Sequence, residues 1–153
     1  MAKKGKYVYE WPRPMVTVDI MLFSQRDSEF DILLIKRGKP PFKGCWALPG
    51  GFVEMDEELY DAASRELKEE TGIEDAVLKQ LHTFGECGRD PRGRQITVVY
   101  AGIIQANKQQ IRGGDDADKA KWFNIKNLPA NLAFDHNKVI RYGINELKKG
   151  NIR

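Results

Sequence analysis

The sequence predicts a single α/β domain, and three observations lead to that prediction. Runs rich in β-branched residues, typical of strands, occupy residues 15–23, 30–37 and 95–105. Apolar residues recur at helical spacing in residues 56–72 and 138–149. The 153 residues are enough for one hydrophobic core but leave no room for a second module. We therefore expect one domain that spans residues 1–153.

Composition excludes several classes of protein. Hydrophobic residues make up 41% and charged residues 31% of the chain, without a long apolar run, so neither disorder nor a membrane span is expected. The two cysteines, Cys45 and Cys87, are too few for a disulfide framework and indicate reduced thiols in the cytoplasm. The basic start lacks a following apolar segment, so no signal peptide is expected.

The predicted elements follow one another from the amino terminus. Residues 1–14 form an extended arm, because residues 7–14 are aromatic and end in prolines. Two strands at 15–23 and 30–37 flank a polar turn, and a Gly/Pro-rich loop follows at 38–44. Further along, a hairpin, a polar loop, a short strand and a last helix are predicted at 76–105, 109–119, 121–125 and 138–149.

Each predicted helix has a packing face. The first presents Leu59, Ala62, Ala63 and Leu67 to the sheet, and Gly72 is expected at its C′ position. The last helix presents Val139, Ile140, Tyr142, Ile144 and Leu147, with Asp135 as its cap. His82 and His136 are interpreted as structural residues.

Three glutamates of the first helix break the local rules of helix stability. Glu66, Glu69 and Glu70 are spaced i, i+3 and i+4, so their like charges share one face near the helix end. Three carboxylates on one face suit a hard cation such as Mg²⁺, and Arg65 at i−4 from Glu69 is placed to orient that carboxylate. The alternative is a solvated acidic face, which is the commoner arrangement.

The spacing around these glutamates resembles the Nudix hydrolase signature. Gly51 is followed after five residues by Glu57, after seven more by Arg65-Glu66, and then by Leu67, Glu69-Glu70, Gly72 and Ile73. The resemblance implies an α/β/α sandwich around a mixed β-sheet and a Mg²⁺- or Mn²⁺-dependent hydrolase of linked nucleoside diphosphates. It implies that Glu66, Glu69, Glu70 and the Gly50 carbonyl are metal ligands, and that Glu57 supports the start of the helix.

A second resemblance concerns the loop before the strand at 95–105. The segment RDPRGR and the later segment LAFDH are similar to those of Nudix ADP-ribose pyrophosphatases and of related Nudix regulators of NAD metabolism. It implies that Arg89, Arg92 or Arg94 contacts phosphate or ribose, although these arginines could instead only shape the turn. Arg37, beside the Gly/Pro-rich loop, is a further candidate for a phosphate contact.

An additional acidic residue is expected on the loop at 109–119. Nudix enzymes often place a metal ligand or general base just before a strand like the one at 121–125. By position, Asp116 is favoured over Asp115, and a plain solvated loop is the alternative. Related proteins carry a glutamate where this chain has Lys119, so the surroundings of the metal differ here.

The predicted function is therefore hydrolysis of ADP-ribose to AMP and ribose 5-phosphate. Two alternatives stay open: hydrolysis of oxidised nucleoside triphosphates, and binding of an NAD-derived metabolite without cleavage. A scaffolding role gives no reason to gather three carboxylates. The net charge is +3, but the sequence has no basic stripe interleaved with aromatic residues, so a nucleic-acid partner is not expected. The regulators continue into a DNA-binding winged helix, so the length of 153 residues favours an enzyme over a repressor. A homodimer with exchanged arms is expected from the resemblance.

Overall fold

The structure is a computed structural model that describes residues 5–105 and 119–153. Its elements in chain order are β1 (Met15–Arg26), β2 (Glu29–Lys36), β3 (Trp46–Ala47), β4 (Gly50–Phe52), α1 (Leu59–Thr71), β5 (Lys79–Phe84), β6 (Gln95–Gln105), β7 (Ala120–Asn124) and α2 (His136–Lys148). Within the described ranges, neither helix has the length and apolar content needed to cross a bilayer.

Strand β1 is the centre of a mixed sheet. It pairs in parallel with β6 along its whole length, from Met15 opposite Gln95 to Gln25 opposite Gln105. Its other edge is shared: residues 17–19 pair with β4, and residues 23–26 pair with β2. Strands β3 and β7 add to β2, and β5 adds to β6. This edge of β1 therefore changes its pairing partner along its length, from β4 to β2. We call the place where the partner changes the fork.

Two cores lie on opposite faces of the sheet. Successive side chains of a strand point to opposite faces. On one face, Val18 and Ile20 of β1 pack in a cluster with Ala62, Ala63 and Leu67 of α1. On the other face, Met21 and Phe23 pack in a cluster with Val139, Ile140 and Leu147 of α2. The α/β/α arrangement predicted from the sequence is confirmed.

Helix α2 approaches the sheet closely through a glycine. A Cβ on Gly143 would lie only 1.8 Å from the Sδ of Met21, so a larger residue there would require the buried Met21 side chain or the helix to shift. Tyr142 and Ile144 of the predicted face are only partly buried, and Gly143 lies between them in the buried stripe.

Several predicted boundaries are corrected by local contacts. Strand β1 continues to Arg26, because it pairs directly with β2 in a tight hairpin. Helix α1 begins at Leu59 rather than at residue 56, since the Glu57 carboxylate accepts the backbone N–H of Glu54 at 2.8 Å and holds the preceding residues in a turn. Its end is as predicted, with Gly72 in the left-handed conformation. Strands β3 and β4 were not predicted.

The cap expected for α2 is also corrected. Asp135 occupies the N-cap position, but among the described residues its carboxylate makes no capping hydrogen bond to the helix. It accepts instead from Arg89, at 3.1 Å from Nε and 2.8 Å from Nη2. This pair ties the loop between β5 and β6 to the start of α2.

The amino-terminal arm lies outside the sheet. Residues 5–14 form neither helix nor strand and are exposed. Tyr7 and Tyr9 stack with 6.1 Å between ring centroids, and the Arg13 guanidinium lies 3.9 Å from the Tyr9 centroid. The arm contacts itself through these side chains.

Candidate active site

A cavity of about 110 Å³ lies at the fork between β2 and β4. Its walls come from the strands on both sides of the fork, from Glu70 of α1 and from the loops before β6 and α2. The lining residues are Thr17, Asp19, Ile35, Arg37, Ala47, Leu48, Gly50, Gly51, Phe52, Glu70, Arg89, Asp90, Arg92, Gln95, Phe134 and His136.

The floor of the cavity lies on a polar strip of the central strands, and three of its four residues, Thr17, Asp19 and Gln95, line the cavity. Thr17 and Asp19 of β1 and Gln95 and Thr97 of β6 are all buried, at odd-numbered positions that share one face of the sheet. The Thr97 hydroxyl donates to Asp19 Oδ2 at 2.5 Å. This strip was not predicted, although the aspartate inside the run MVTVDIMLF was a signal, because burying an unpaired carboxylate is costly.

Two glutamates of α1 meet the glycine turn of β4. The Gly50 N–H donates to Glu70 Oε1 at 2.8 Å. A Cβ on Gly51 would lie only 2.3 Å from Glu66 Oε1, so only glycine leaves room for that carboxylate. Two of the three predicted ligands are therefore held beside the backbone at Gly50 and Gly51. Glu69 lies closer to solvent, with 46% of its side chain exposed.

The pKa of both carboxylates is raised above its ordinary value. Burial is the largest cause that raises the pKa of Glu70, to about 8, and the negative charges of Glu66 and Asp19 add to it. Burial also raises the pKa of Glu66, although hydrogen bonding by Arg65 opposes the shift. Without a cation, the site therefore favours the neutral acid at Glu70.

Arg65 pairs with Glu69 as predicted, but two other carboxylates lie closer to it. Its guanidinium donates to Glu57 at 2.6 and 2.9 Å and to Glu66 at 2.9 Å, but reaches Glu69 only at 3.4 Å. The cause is the turn before α1, which carries the Glu57 carboxylate back over the helix. Hydrogen bonding by Arg65 lowers the pKa of Glu57. Arg65 therefore orients Glu57 and Glu66 more strongly than Glu69.

The glutamates of α1 offer donor atoms suited to a divalent cation. Glu66 and Glu70 supply carboxylate oxygens, the ligands that Mg²⁺ prefers. Glu70 has no Lys or Arg ion-pair partner among the described residues, so a cation would offset its buried charge. Within those residues, however, no three His, Cys, Asp or Glu side chains already form a metal cluster. The residues fit a cation in chemistry, and Glu69 would have to turn towards it.

Three of the four predicted arginines line the cavity. Arg89 is bound by Asp135, and Arg92 donates to both carboxylate oxygens of Asp90, at 3.1 and 2.8 Å. Arg37 donates to the Pro41 carbonyl at 2.8 Å and has no carboxylate partner in the described part of the chain. Burial, followed by the charge of Arg92, lowers the pKa of Arg37.

Arg94 is the exception among the four. It is exposed, donates to the Glu86 carbonyl at 3.5 Å, and does not appear among the described residues that line the cavity. The fold therefore separates it from the other three.

Phe134 holds two of these cations at the mouth of the cavity. The guanidinium carbons of Arg37 and Arg92 lie 4.8 and 5.1 Å from its ring centroid. Cation–π attraction keeps the two like charges on one ring. The role of Phe134 was not predicted, because its contacts depend on the packing of three separate segments.

The two histidines have structural contacts. His136 Nδ1 accepts the backbone N–H of Leu48 at 3.1 Å, and burial lowers the pKa of His136, so its ring is neutral with the proton on Nε2. That nitrogen lies 3.7 Å from Asp19 Oδ1, so His136 also borders the cavity. His82 stacks on Tyr142, 4.4 Å between centroids, away from the cavity.

The acidic loop lies outside the described residues. Asp115 and Asp116 both belong to it. The expectation that Asp116 supplies a ligand or a base stays a prediction.

Comparison with known proteins gives a family and several relatives. A family model described as NUDIX domain matches residues 13–143. The chain is 46% identical over 128 residues to an ADP-ribose pyrophosphatase of Methanocaldococcus jannaschii, covering 84% of this chain and 72% of that protein. It is 40% identical over 137 residues to the ADPR responsive transcriptional repressor NtrR of Acinetobacter baylyi, covering 86% of this chain and 54% of the repressor.

Solved structures agree with the sequence comparison. The NUDIX domain of Shewanella oneidensis NrtR complexed with ADP ribose is 33% identical, with a TM-score of 0.79 and 90% coverage of both chains. A bifunctional NMN adenylyltransferase/ADP ribose pyrophosphatase of Francisella tularensis, complexed with AMP and a Mn ion, is 33% identical with a TM-score of 0.75, covering 90% of this chain and 43% of that one. Both likenesses support the fold described above.

Proposed function

The chain belongs to the Nudix hydrolase family, and we propose that it hydrolyses ADP-ribose to AMP and ribose 5-phosphate in the cavity at the fork of β1. One observation carries the proposal: Glu70 and the three arginines line the same cavity, and the buried Glu66 carboxylate lies beside its lining residue Gly51. Such a site offers negative charge for a cation and positive charge for a diphosphate. The similarity to the ADP-ribose pyrophosphatase of Methanocaldococcus jannaschii supports the choice of substrate.

The proposed cofactor is Mg²⁺ or Mn²⁺. Glu66, Glu69, Glu70 and the Gly50 carbonyl would hold it, and Asp116 is proposed as a further ligand or as the general base. When bound, the cation supplies charge neutralisation at the diphosphate and a water of lowered pKa. The chain's own part is to fix the glutamates, since Arg65 holds Glu66 and the Gly50 N–H holds Glu70.

The arginines have different proposed roles. Arg37 lacks a carboxylate partner among the described residues, so its guanidinium is available for a diphosphate oxygen, a contact that suits its planar donors. Arg92 keeps its Asp90 pair and adds positive charge beside the same ring. Arg89 positions the loop through Asp135 and would act on the substrate mainly through that loop.

Product analysis tests the proposed reaction. Purified protein with Mg²⁺ and ADP-ribose should release AMP and ribose 5-phosphate in equal amounts. Glu70→Gln should lower turnover by at least about a hundredfold, because it removes a ligand charge while keeping the side-chain shape. Glu74→Gln is the matched control, since Glu74 pairs with Lys68 at 2.9 Å and lies outside the cavity. Wild-type turnover in Glu70→Gln at saturating Mg²⁺ would contradict the assignment.

A second candidate is a sensor that binds ADP-ribose without cleaving it. It is favoured by the similarity to a repressor described as ADPR responsive, although this chain spans about half of that protein. Stabilisation by ADP-ribose in Mg²⁺ without product would support the sensor. Hydrolysis of oxidised nucleoside triphosphates is distinguished by comparing kcat/KM for ADP-ribose and 8-oxo-dGTP.

The arm and the cysteines support two further proposals. Val8 and Trp11 are large exposed apolar residues of the arm, and a second copy of the chain would cover them in a homodimer. Light scattering of the full chain and of a form that lacks residues 1–13 tests this, and a monomeric full chain would exclude it. Cys45 and Cys87 are both free, which suits a reducing cytoplasm.

A further inference from the structure

Gln95 has an unused hydrogen-bond donor inside the cavity. It is the first residue of β6, only 1% of its surface is exposed, and its side chain lines the cavity. Its Nε2 is buried and has no hydrogen-bond partner among the described residues. Buried amide groups in folded proteins are rarely left unpaired, so this donor indicates a partner that enters from the cavity.

The groups around Gln95 select the kind of partner. Asp19 and Asp90 are buried carboxylates that line the same cavity, and Thr17 shares the face of the sheet with Gln95. Arg92 is already engaged by Asp90. A phosphate oxygen at the floor would face two carboxylates and be repelled. A hydroxyl group both donates and accepts, so it can satisfy a carboxylate and the Gln95 amide together.

The size of the cavity restricts which part of the substrate can enter. Its volume is about 110 Å³. Pockets that enclose a whole drug-sized ligand are about 300–1,000 Å³. The cavity therefore encloses only one part of the substrate, about the size of a single sugar, and the rest of the substrate extends beyond it.

We infer that Gln95 Nε2 donates a hydrogen bond to a hydroxyl oxygen of the terminal ribose of ADP-ribose, at the floor of the cavity. This inference rests on the proposed function and adds a binding residue that distinguishes a sugar diphosphate from a plain nucleoside diphosphate. The adenosine half then lies towards the mouth, where Arg37 and Phe134 are found.

Binding of two ligands that differ only in the terminal ribose tests the inference. Dissociation constants for ADP-ribose and ADP are measured by calorimetry in EDTA, which prevents turnover. Gln95→Met removes the donor at nearly constant side-chain length. It should weaken ADP-ribose binding by about tenfold and leave ADP binding within about twofold. Gln105→Met, on the exposed end of the same strand, is the matched control and should change neither constant.

The ratio of the two constants separates binding from folding. If Gln95 only supported the fold, its substitution would weaken both ligands equally and lower the Tm, which would overturn the inference. If Gln95→Met does not fold, Gln95→Leu gives the same comparison, because its side chain is also uncharged and has no donor. A wild type that prefers ADP-ribose with an unchanged ratio in both variants would overturn only the inference. A wild type without that preference would overturn the proposed substrate as well.

Discussion

Two halves of one face of β1 have opposite chemistry. The first half carries Thr17 and Asp19, and the second carries Met21 and Phe23, all at alternate positions and all buried. We call them the site half and the core half. The parallel strand β6 repeats the division, since Gln95 and Thr97 are followed by Val99 and Ala101 on the same face. Burial alone therefore does not show whether a residue belongs to the hydrophobic core or to the functional site.

What covers each half explains the difference. The core half lies under α2 and belongs to its apolar cluster. The site half lies at the fork, where β4 replaces β2 along β1 and a cavity remains. Polar side chains are tolerated there because they hydrogen bond, as Thr97 does with Asp19, or face a ligand.

The largest expected effect comes from breaking the core half. Phe23 is fully buried, and Phe23→Ala should lower the free energy of unfolding by about 3–5 kcal/mol through the cavity it leaves. Turnover per folded molecule should stay close to wild type. Denaturant unfolding and active-site titration measure the two quantities. Unchanged stability would remove the distinction between the halves.

The next effect comes from the site half. Asp19→Asn keeps the side-chain shape but removes a charge that faces the cavity beside Gly50. Turnover should fall by about ten- to a hundredfold, as for other groups that support a metal site. The midpoint of urea unfolding should shift by less than that of Phe23→Ala. A stability loss as large as in that variant would place Asp19 with the core instead.

The stability of the protein is expected to depend on pH and on Mg²⁺ through Glu70. The folded pKa of Glu70, about 8, lies above its ordinary value of 4.5, so the folded, metal-free protein binds the extra proton. Its stability should therefore fall as pH rises between about 4.5 and 8. Mg²⁺ should raise the Tm more at pH 8.5 than at pH 6, since it replaces that proton. Glu70→Gln should flatten this dependence, and an unchanged slope in thermal scans would assign it to another group.

The smallest expected effect concerns the arginines at the mouth. Arg37→Ala should raise KM by about tenfold, because it removes a charge-assisted contact to the diphosphate. Arg94→Ala should change KM less, since Arg94 lies outside the described lining of the cavity. Steady-state kinetics of the pair at one Mg²⁺ concentration measures the contrast. A larger effect at Arg94 would show that the loop rearranges on binding.

The sequence was sufficient for the elements that depend on local chemistry. β-Branched runs located the long strands, helical spacing located α1 and α2, and the glycine and glutamate spacing located the acidic face of α1. Strands β3 and β4, with two and three residues, are too short for a periodic signal. Their existence depends on pairing with β2 and β1.

The parts of the site that sequence analysis missed depend on distant contacts. Asp135 matches a helix cap in sequence, yet Arg89 from a loop 46 positions away binds its carboxylate. Arg65 was expected to orient Glu69, but the turn before α1 brings Glu57 closer. In the sequence, Gln95 resembles an ordinary first residue of a strand. Its place in the cavity depends on the pairing of β6 with β1.

The parallel pairing of β1 with β6 has a consequence for folding. Thr17, which lines the cavity, and Thr97, whose hydroxyl donates to the Thr17 carbonyl, are 80 positions apart. Contacts of such long sequence separation form slowly, because a large loop must close first. Helix α1 and its glutamates can assemble from neighbouring residues, but the floor cannot form until β6 has been synthesised and joined to β1. The site is therefore complete only after β6 has paired with β1.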